Sequence, residues 1–172
     1  TVETGGTFSA GLDFESRILF KEDVAHLLEK ELASPKYKPK PIMVGANTDA
    51  YQPTEKNLRL TRSVLEVCAR WNQPIGLITK SALIARDIDI LAPMAEKGLA
   101  KAAISITTLD RTLARKMEPR AATPQRRLDA IRALSEAGVP VTVMAAPVVP
   151  GLTDHELESI LEAAAKAGAT GA

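Results

Sequence analysis

A chain of 172 residues is long enough for one sizeable core, and 45% hydrophobic with 25% charged residues is the make-up of an ordinary globular domain. Lys and Arg number 22 against 21 Asp and Glu, so the net charge of +1 removes any bulk electrostatic case for nucleic acid or membrane, though a local basic patch stays compatible with it. One cysteine excludes an internal disulfide framework and points to a reducing, cytoplasmic setting, no run of about 18 apolar residues crosses a membrane, and 3% aromatics leave little for a base-stacking surface.

Residues 1–11 are polar and Gly-rich and read as a loop, in part a vector-derived remnant, with no secretory leader pattern. Arg17 to Phe20 suits a short strand. Val24, Leu27, Leu28 and Leu32 recur at helical spacing behind Asp23, whose carboxylate suits the helix dipole. Ser34 to Lys40 is a Pro/Lys connection that reads as a solvated loop. Pro41 to Ala46 is apolar without alternation, the pattern of a strand buried on both faces, and it ends in Asn47-Thr48-Asp49. Leu60, Val64, Cys68 and Trp71 mark the next helix, with Cys68 a small hydrophobe on its apolar side. Pro74 to Ile78 is the second buried strand and ends in Thr79-Lys80-Ser81. Helical residues follow around Leu83 to Leu91, and Pro93 is expected to start another turn.

Lys101 to Ile106 is the third strand. It leaves through Thr107, Thr108 and Asp110 into a charged cluster, Lys116, Glu118 and Arg120. Thr123-Pro124 then starts a helix, because the hydroxyl accepts an orphan N–H and Pro has none to lose. That helix runs from Arg126 to Ala137 with Leu128, Ile131 and Leu134 inward and Gly138 at the C′ position. Val141 to Ala146 is the fourth strand, and Asp154 to Ala167 the last helix, closed by Gly168. Ala169 to Ala172 reads as the approach to a further strand beyond residue 172.

Strands alternating with helices imply parallel pairing through right-handed crossovers. Open doubly wound sheets and barrels both satisfy that alternation. No GxGxxG or GxxxxGK[ST] follows a strand, which weakens the nucleotide-binding sheet. A full eight-fold barrel needs ~200 residues or more. The expectation is therefore an α/β chain, one domain over residues 1–172, forming a partial (β/α)6 TIM-like barrel truncated at both ends.

Parallel strands bring their C-terminal ends to one rim. That rim gathers Asn47, Thr48 and Asp49, then Thr79, Lys80 and Ser81, then Ser105, Thr107 and Thr108, then Ala146 and Pro147. Hydroxyls, one ammonium, one carboxylate and open backbone suit a small polar ligand carrying a carboxylate or a ribose. Lys80 is the natural anion partner, and Asp49 or Glu118 can accept from an amine or a sugar hydroxyl. Each has a plainer reading beside it. Lys80 then sits in a solvated loop, Ser105 is a core hydroxyl, Glu118 and Arg120 form a surface pair of little worth, and Arg126 with Arg127 is a solvated charge run. His26 and His155 lack metal-ligand spacing, and no nucleophile–His–Asp set can be assembled.

Three segments, ITKSALI, AISITTLDRTLARKMEPRAATPQRRLDAIRALSEAGVPV and MAAPVVPGLTD, resemble radical S-adenosylmethionine enzymes, and within them the branch related to spore photoproduct lyase. The resemblance runs from about Gly11 to the C-terminus. It implies a partial (β/α)6 barrel with a [4Fe–4S] cluster on a CxxxCxxC loop. S-adenosylmethionine chelates the unique iron and is cleaved to a 5′-deoxyadenosyl radical, with an electron donor such as flavodoxin or ferredoxin as partner. On that resemblance Lys80 meets the cofactor's carboxylate, Ser105 offers a hydroxyl contact, and Thr48 takes a serine's place after a strand. Ala146 gives a backbone contact near the adenine, and Glu118 and Arg127 fall on family positions in the same site.

Two departures stand out. The cysteine triad is absent, so the 172 residues are expected not to build the cluster and to be inactive in radical chemistry, with the cluster loop expected ahead of Gly11. Ala46 stands where spore photoproduct lyase carries a hydrogen-donor cysteine, which argues against thymine-dimer repair by that route. The substrate is not legible, and a nucleic-acid-related one stays open. Two other readings remain beside the enzyme: a non-catalytic, barrel-type binding or interaction module, and an aldolase-like barrel with Lys80 as a Schiff-base amine. A truncated barrel would also leave strand edges free to self-associate.

Overall fold

The structure is a computed structural model that describes residues 20–172. The loop expected over residues 1–11 and most of the strand expected at Arg17 to Phe20 lie outside those residues; Phe20 itself is in no regular element. Four parallel strands carry the fold, β1 (Ile42–Val44), β2 (Ile75–Thr79), β3 (Ala100–Ser105) and β4 (Val141–Met144). They lie in chain order across the sheet, β1-β2-β3-β4. Right-handed crossovers that always step in the same direction put every connecting helix on one face.

The burial pattern follows from that winding. Register pairs Leu77 with Ala102, Ala102 with Val141, and Ile104 with Val143, so these residues share a face. All are buried, in one core with Leu65 and Cys68 of helix α3 (Leu60–Arg70), Leu91 and Met94 of α4 (Ile88–Glu96), Ile131 and Leu134 of α6 (Pro124–Glu136), and Ile160 and Ala164 of α7 (Leu157–Lys166). On the opposite face Met43 pairs with Gly76 and Gly76 with Lys101, and Ser105 pairs with Met144. There Met43, Lys101 and Met144 are exposed, so this face is open. Thr142 is bridged in parallel to Gly171, with Val143 N–H donating to the Gly171 carbonyl at 2.9 Å. Gly171 thus lies against the outer edge of β4 as an isolated bridge.

Several expectations are corrected. Pro41 to Ala46 reads as doubly buried, yet among the described residues β1 is an edge strand of three residues and Met43 is 47% exposed. An apolar run reports only that water is avoided, not which neighbours supply the cover. Beyond β1, Gly45 at φ +92 brings the chain so close to β2 that a Cβ there would meet the Ile78 carbonyl oxygen at 2.0 Å. Pro93 does not start a turn but sits inside α4, which follows a 3-10 helix over Ala82–Asp87. Its ring is exposed, and full burial of Leu91 and Met94 beside it offsets the one backbone bond that Pro cannot make. Helix α1 (Val24–Leu32) forms where the spacing of Val24, Leu27, Leu28 and Leu32 places it, with Leu32 buried and Leu27 44% exposed.

The stretch between Asp110 and Thr123 is not all loop. Helix α5 (Arg111–Met117) starts at Asp110, whose carboxylate accepts from Thr112 N–H at 2.6 Å and Leu113 N–H at 3.0 Å. Thr123 caps α6 with Pro124 at its first position, as expected, and Gly138 follows its end at φ +80. A short helix α2 (Glu55–Leu58) precedes α3. Among the described residues no helix is long and apolar enough to cross a membrane.

Candidate functional site

The C-terminal rim of the sheet carries one continuous hydrogen-bonded chain of side chains. It begins after β1 at Asp49. One Asp49 oxygen accepts from the Thr79 hydroxyl at 2.6 Å and from Tyr51 N–H at 2.8 Å. The other accepts from Lys80 N–H at 2.8 Å. Asp49 therefore closes the end of β2 onto the β1 loop, and a further bond, Ser81 N–H to Thr79 Oγ1 at 2.9 Å, turns the chain away from the strand. Thr48, next to Asp49, is exposed.

Lys80 reaches across the rim. Its ammonium pairs with Glu118 Oε1, while Glu118 Oε2 accepts from Arg127 Nη2 at 2.6 Å. Arg127 is 2% exposed and spends its other donors on backbone, Nη1 on the Ser105 carbonyl at 2.9 Å and Nε on the Ala122 carbonyl at 2.8 Å. Each of the three guanidinium nitrogens thus has an acceptor, one carboxylate and two carbonyls. The Thr107 hydroxyl lies 3.1 Å from Glu118 Oε1 and 3.2 Å from the Ala146 carbonyl, and so links the Lys80 pair to the end of β4. Thr108 and Leu109 are held from the far side, by Glu156 at 2.5 Å and 2.7 Å.

Every residue singled out in the sequence as a site candidate thus lies on this rim. Asp49, Lys80, Ser105, Glu118, Arg127 and Ala146 are joined in the network, and Thr48 stands exposed beside it. Two plainer readings fail. Glu118 is 12% exposed rather than half of a surface pair, and Arg127 is buried while Arg126 alone is solvated. Lys80, with its side chain 38% exposed, is the member that faces outward. It uses one ammonium hydrogen on Glu118, so the others remain for a ligand anion. Thr107 is one of the rim hydroxyls expected from the sequence, whereas Tyr51 and Glu156 are not among the expected site residues. Nothing in a hydroxyl after a strand, or a Glu at the head of a helix, says which distant loop it will bind.

Burial pushes the Glu118 carboxyl up, but hydrogen bonds from Lys80 and Arg127 outweigh it and hold the group below its ordinary value. The carboxylate is charged at neutral pH and accepts from three directions. It is a holder of cations, not an open acceptor for a ligand. The Lys80 ammonium, tied into an ion pair, also lacks the apolar, cation-flanked setting that makes an amine a nucleophile. That disfavours the Schiff-base reading.

A [4Fe–4S] cluster does not fit these residues. Cys68 is fully buried in the core on α3, and among the described residues no three His, Cys, Asp or Glu side chains are grouped to hold a metal ion. Burial raises the Cys68 thiol to about 11. Folded protein is therefore expected to leave this thiol unmodified by Ellman's reagent at pH 8 and to release one equivalent on denaturation. Rapid labelling of native protein would contradict the burial described here. S-adenosylmethionine fits better, since a partly exposed Lys80 side chain, a buried Ser105 on the open face and an exposed Ala146 suit its carboxylate and its nucleoside end.

Comparison with known proteins agrees with this geometry. The family model for the Radical SAM superfamily matches residues 5–164. The uncharacterized protein Rv2578c of Mycobacterium tuberculosis is 36% identical over 166 residues, 95% of this chain and 49% of that protein. The uncharacterized protein MJ0683 of Methanocaldococcus jannaschii is 27% identical over 141 residues, 82% of this chain and 51% of that protein. The uncharacterized protein ORF301 of Acidianus two-tailed virus is 30% identical over 115 residues, 67% of this chain and 37% of that protein. The chain spans about half the length or less of the curated relatives it matches. A parallel sheet wound in one direction, a polar rim at its strand ends and a family match over nearly the whole sequence have one meaning together: the chain belongs to the radical SAM superfamily.

Proposed function

We propose that this chain is the S-adenosylmethionine-binding core of a radical SAM enzyme, with the ligand seated on the C-terminal rim of the sheet. The observation that carries the reading is the hydrogen-bonded run from Asp49 to Ala146, which leaves Lys80 as its outward-facing cation. Lys80 takes the ligand's carboxylate, and Ser105, Thr48 and the Ala146 backbone take its polar groups. Asp49, Glu118 and Arg127 hold that seat in place. When bound, S-adenosylmethionine supplies a sulfonium whose reductive cleavage calls for an iron–sulfur cluster. These residues do not hold such a cluster, so the chain by itself binds without turnover. In that narrow sense the alternative reading, a binding module without redox chemistry, describes the same 172 residues.

The finer likeness to spore photoproduct lyase rests on the ordered segments and on the rim residues they bring together. Ala46, exposed just after β1, offers no thiol, so hydrogen donation from that position is not part of the proposed chemistry.

Calorimetric titration tests the reading directly. S-adenosylhomocysteine is expected to bind the chain, and adenosine, which has no carboxylate, to bind more weakly. Equal affinity for the two would remove the role given to Lys80. Absence of binding for either at millimolar concentration would end the proposal.

A further inference from the structure

Behind the rim lies a charged cluster that the ligand seat does not use. Asp87 is fully buried, and its carboxylate accepts from Arg86 Nε and Nη2, both at 2.8 Å, from Arg62 Nη1 at 3.0 Å, and from the Tyr51 hydroxyl at 3.1 Å. Arg86 also donates to Glu55 Oε1 at 2.8 Å and to the Glu55 carbonyl at 3.0 Å. Glu55, 4% exposed, takes Thr61 N–H at 3.0 Å, and the Thr61 hydroxyl returns to the Ala50 carbonyl at 2.5 Å. Arg62 extends the cluster to Asp89 at 2.6 Å.

Burying two carboxylates against two guanidinium groups carries a desolvation cost that well-packed apolar side chains would avoid. What such a cluster supplies is direction, because each bond fixes an angle as well as a distance. Its bonds converge on the segment from Ala50 to Arg62. Immediately before that segment stands Asp49, the carboxylate that closes β2 and holds Lys80 N–H.

Tyr51 joins the two systems. Its ring is 3% exposed, its hydroxyl is in the Asp87 cluster, and its own N–H is on Asp49. Burial and the Asp87 carboxylate push the phenol well up, so it is a hydrogen-bond donor at any ordinary pH. We propose that Tyr51 is a positioning residue for the ligand seat, a strut that transmits the fixed geometry of the Asp87–Arg86–Arg62 cluster through Asp49 to Lys80. The seat half of this inference rests on the reading of Lys80 as the ligand's anion partner; the strut half rests on the hydrogen bonds alone.

The test is Tyr51→Phe, which removes one oxygen and keeps the ring. Amide hydrogen exchange reads the strut. Exchange at Lys80 is expected to accelerate about 10-fold, with Leu65 and Leu134, in the cores of α3 and α6, unchanged. Asp49→Asn sets the upper bound, since its amide must turn a donor toward an N–H or hydroxyl that now donates to a carboxylate. Titration with S-adenosylhomocysteine reads the seat, and roughly a 5-fold weaker affinity is expected at a temperature where both proteins are fully folded. Unchanged exchange at Lys80 would overturn the proposal. So would equal acceleration at Lys80, Leu65 and Leu134, which marks general loosening. If wild-type protein fails to bind the probe while Lys80 responds to Tyr51→Phe, the strut stands and the ligand reading falls.

Discussion

Replacing Arg127 with methionine is expected to lower the unfolding free energy by about 3–5 kcal/mol, the usual consequence of removing one partner from a buried pair. Methionine fills a similar apolar stem, so the loss is not mainly one of volume. Three acceptors lose their donors at once. They are Glu118 Oε2, the Ser105 carbonyl at the end of β3, and the Ala122 carbonyl just before α6. Each buried acceptor left without a partner costs ~1–3 kcal/mol. Glu118 keeps only Lys80 and Thr107, and its charge is then poorly matched in a largely buried setting. Urea denaturation at unchanged m-value measures the change. A loss under about 1 kcal/mol would show that Arg127 is dispensable to the rim. A double-mutant cycle with Glu118→Gln separates the pair from the two carbonyls. Glu118→Gln should cost less in the Arg127→Met background than alone, by ~0.5–3 kcal/mol. Additive effects would mean that the two side chains are neighbours without being partners.

The same residue shows what could be read without coordinates. Periodicity placed α1, α3 and α6, because burial on one face leaves its mark every third or fourth residue, and apolar runs placed the strands. Thr123-Pro124 and Gly138 placed both ends of α6, because those residue types answer a local backbone need. Alternation gave parallel strands, and parallel strands gave a common rim. Arg127, however, reads in sequence as half of an Arg-Arg pair on a polar helix. Only the return of β3 beneath α6 makes it an interior residue. Tyr51 and Asp87 are likewise 36 residues apart, and no local pattern says that they meet. The edge position of β1 was hidden for a related reason. An apolar run is the same string whether a neighbour covers both of its faces or one. α5 escaped notice because seven residues show too little periodicity, although Asp110 carried its start signal.

Lys80→Met is expected to weaken S-adenosylhomocysteine binding by roughly 10- to 100-fold, the worth of one charge-assisted hydrogen bond to a carboxylate. Lys80→Arg should recover little of it. The guanidinium is a planar fork and cannot reproduce a compact ammonium that serves Glu118 and a ligand together. Adenosine, with no carboxylate, should bind wild type and Lys80→Met alike. That contrast separates a lost ligand contact from a collapsed rim. The acid side of the stability profile gives a second reading. Glu118 is held below the ordinary carboxylate value of 4.5 in the folded protein. Its contribution is therefore fully present above that value and is lost as pH falls through the lower, folded one. Lys80→Met removes one of the two hydrogen bonds that hold it down, while burial continues to push it up. The acid loss of stability should then be smaller in the mutant and complete at a higher pH, because only the folded value moves. That lower end should move up further in Arg127→Met, where the cation lost is the buried one and water screens its absence least. An acid limb that does not move in either variant would mean that Glu118 does not carry the rim's charge balance. Lys80 would then be an exposed lysine near a strand end rather than the cation around which the seat is built.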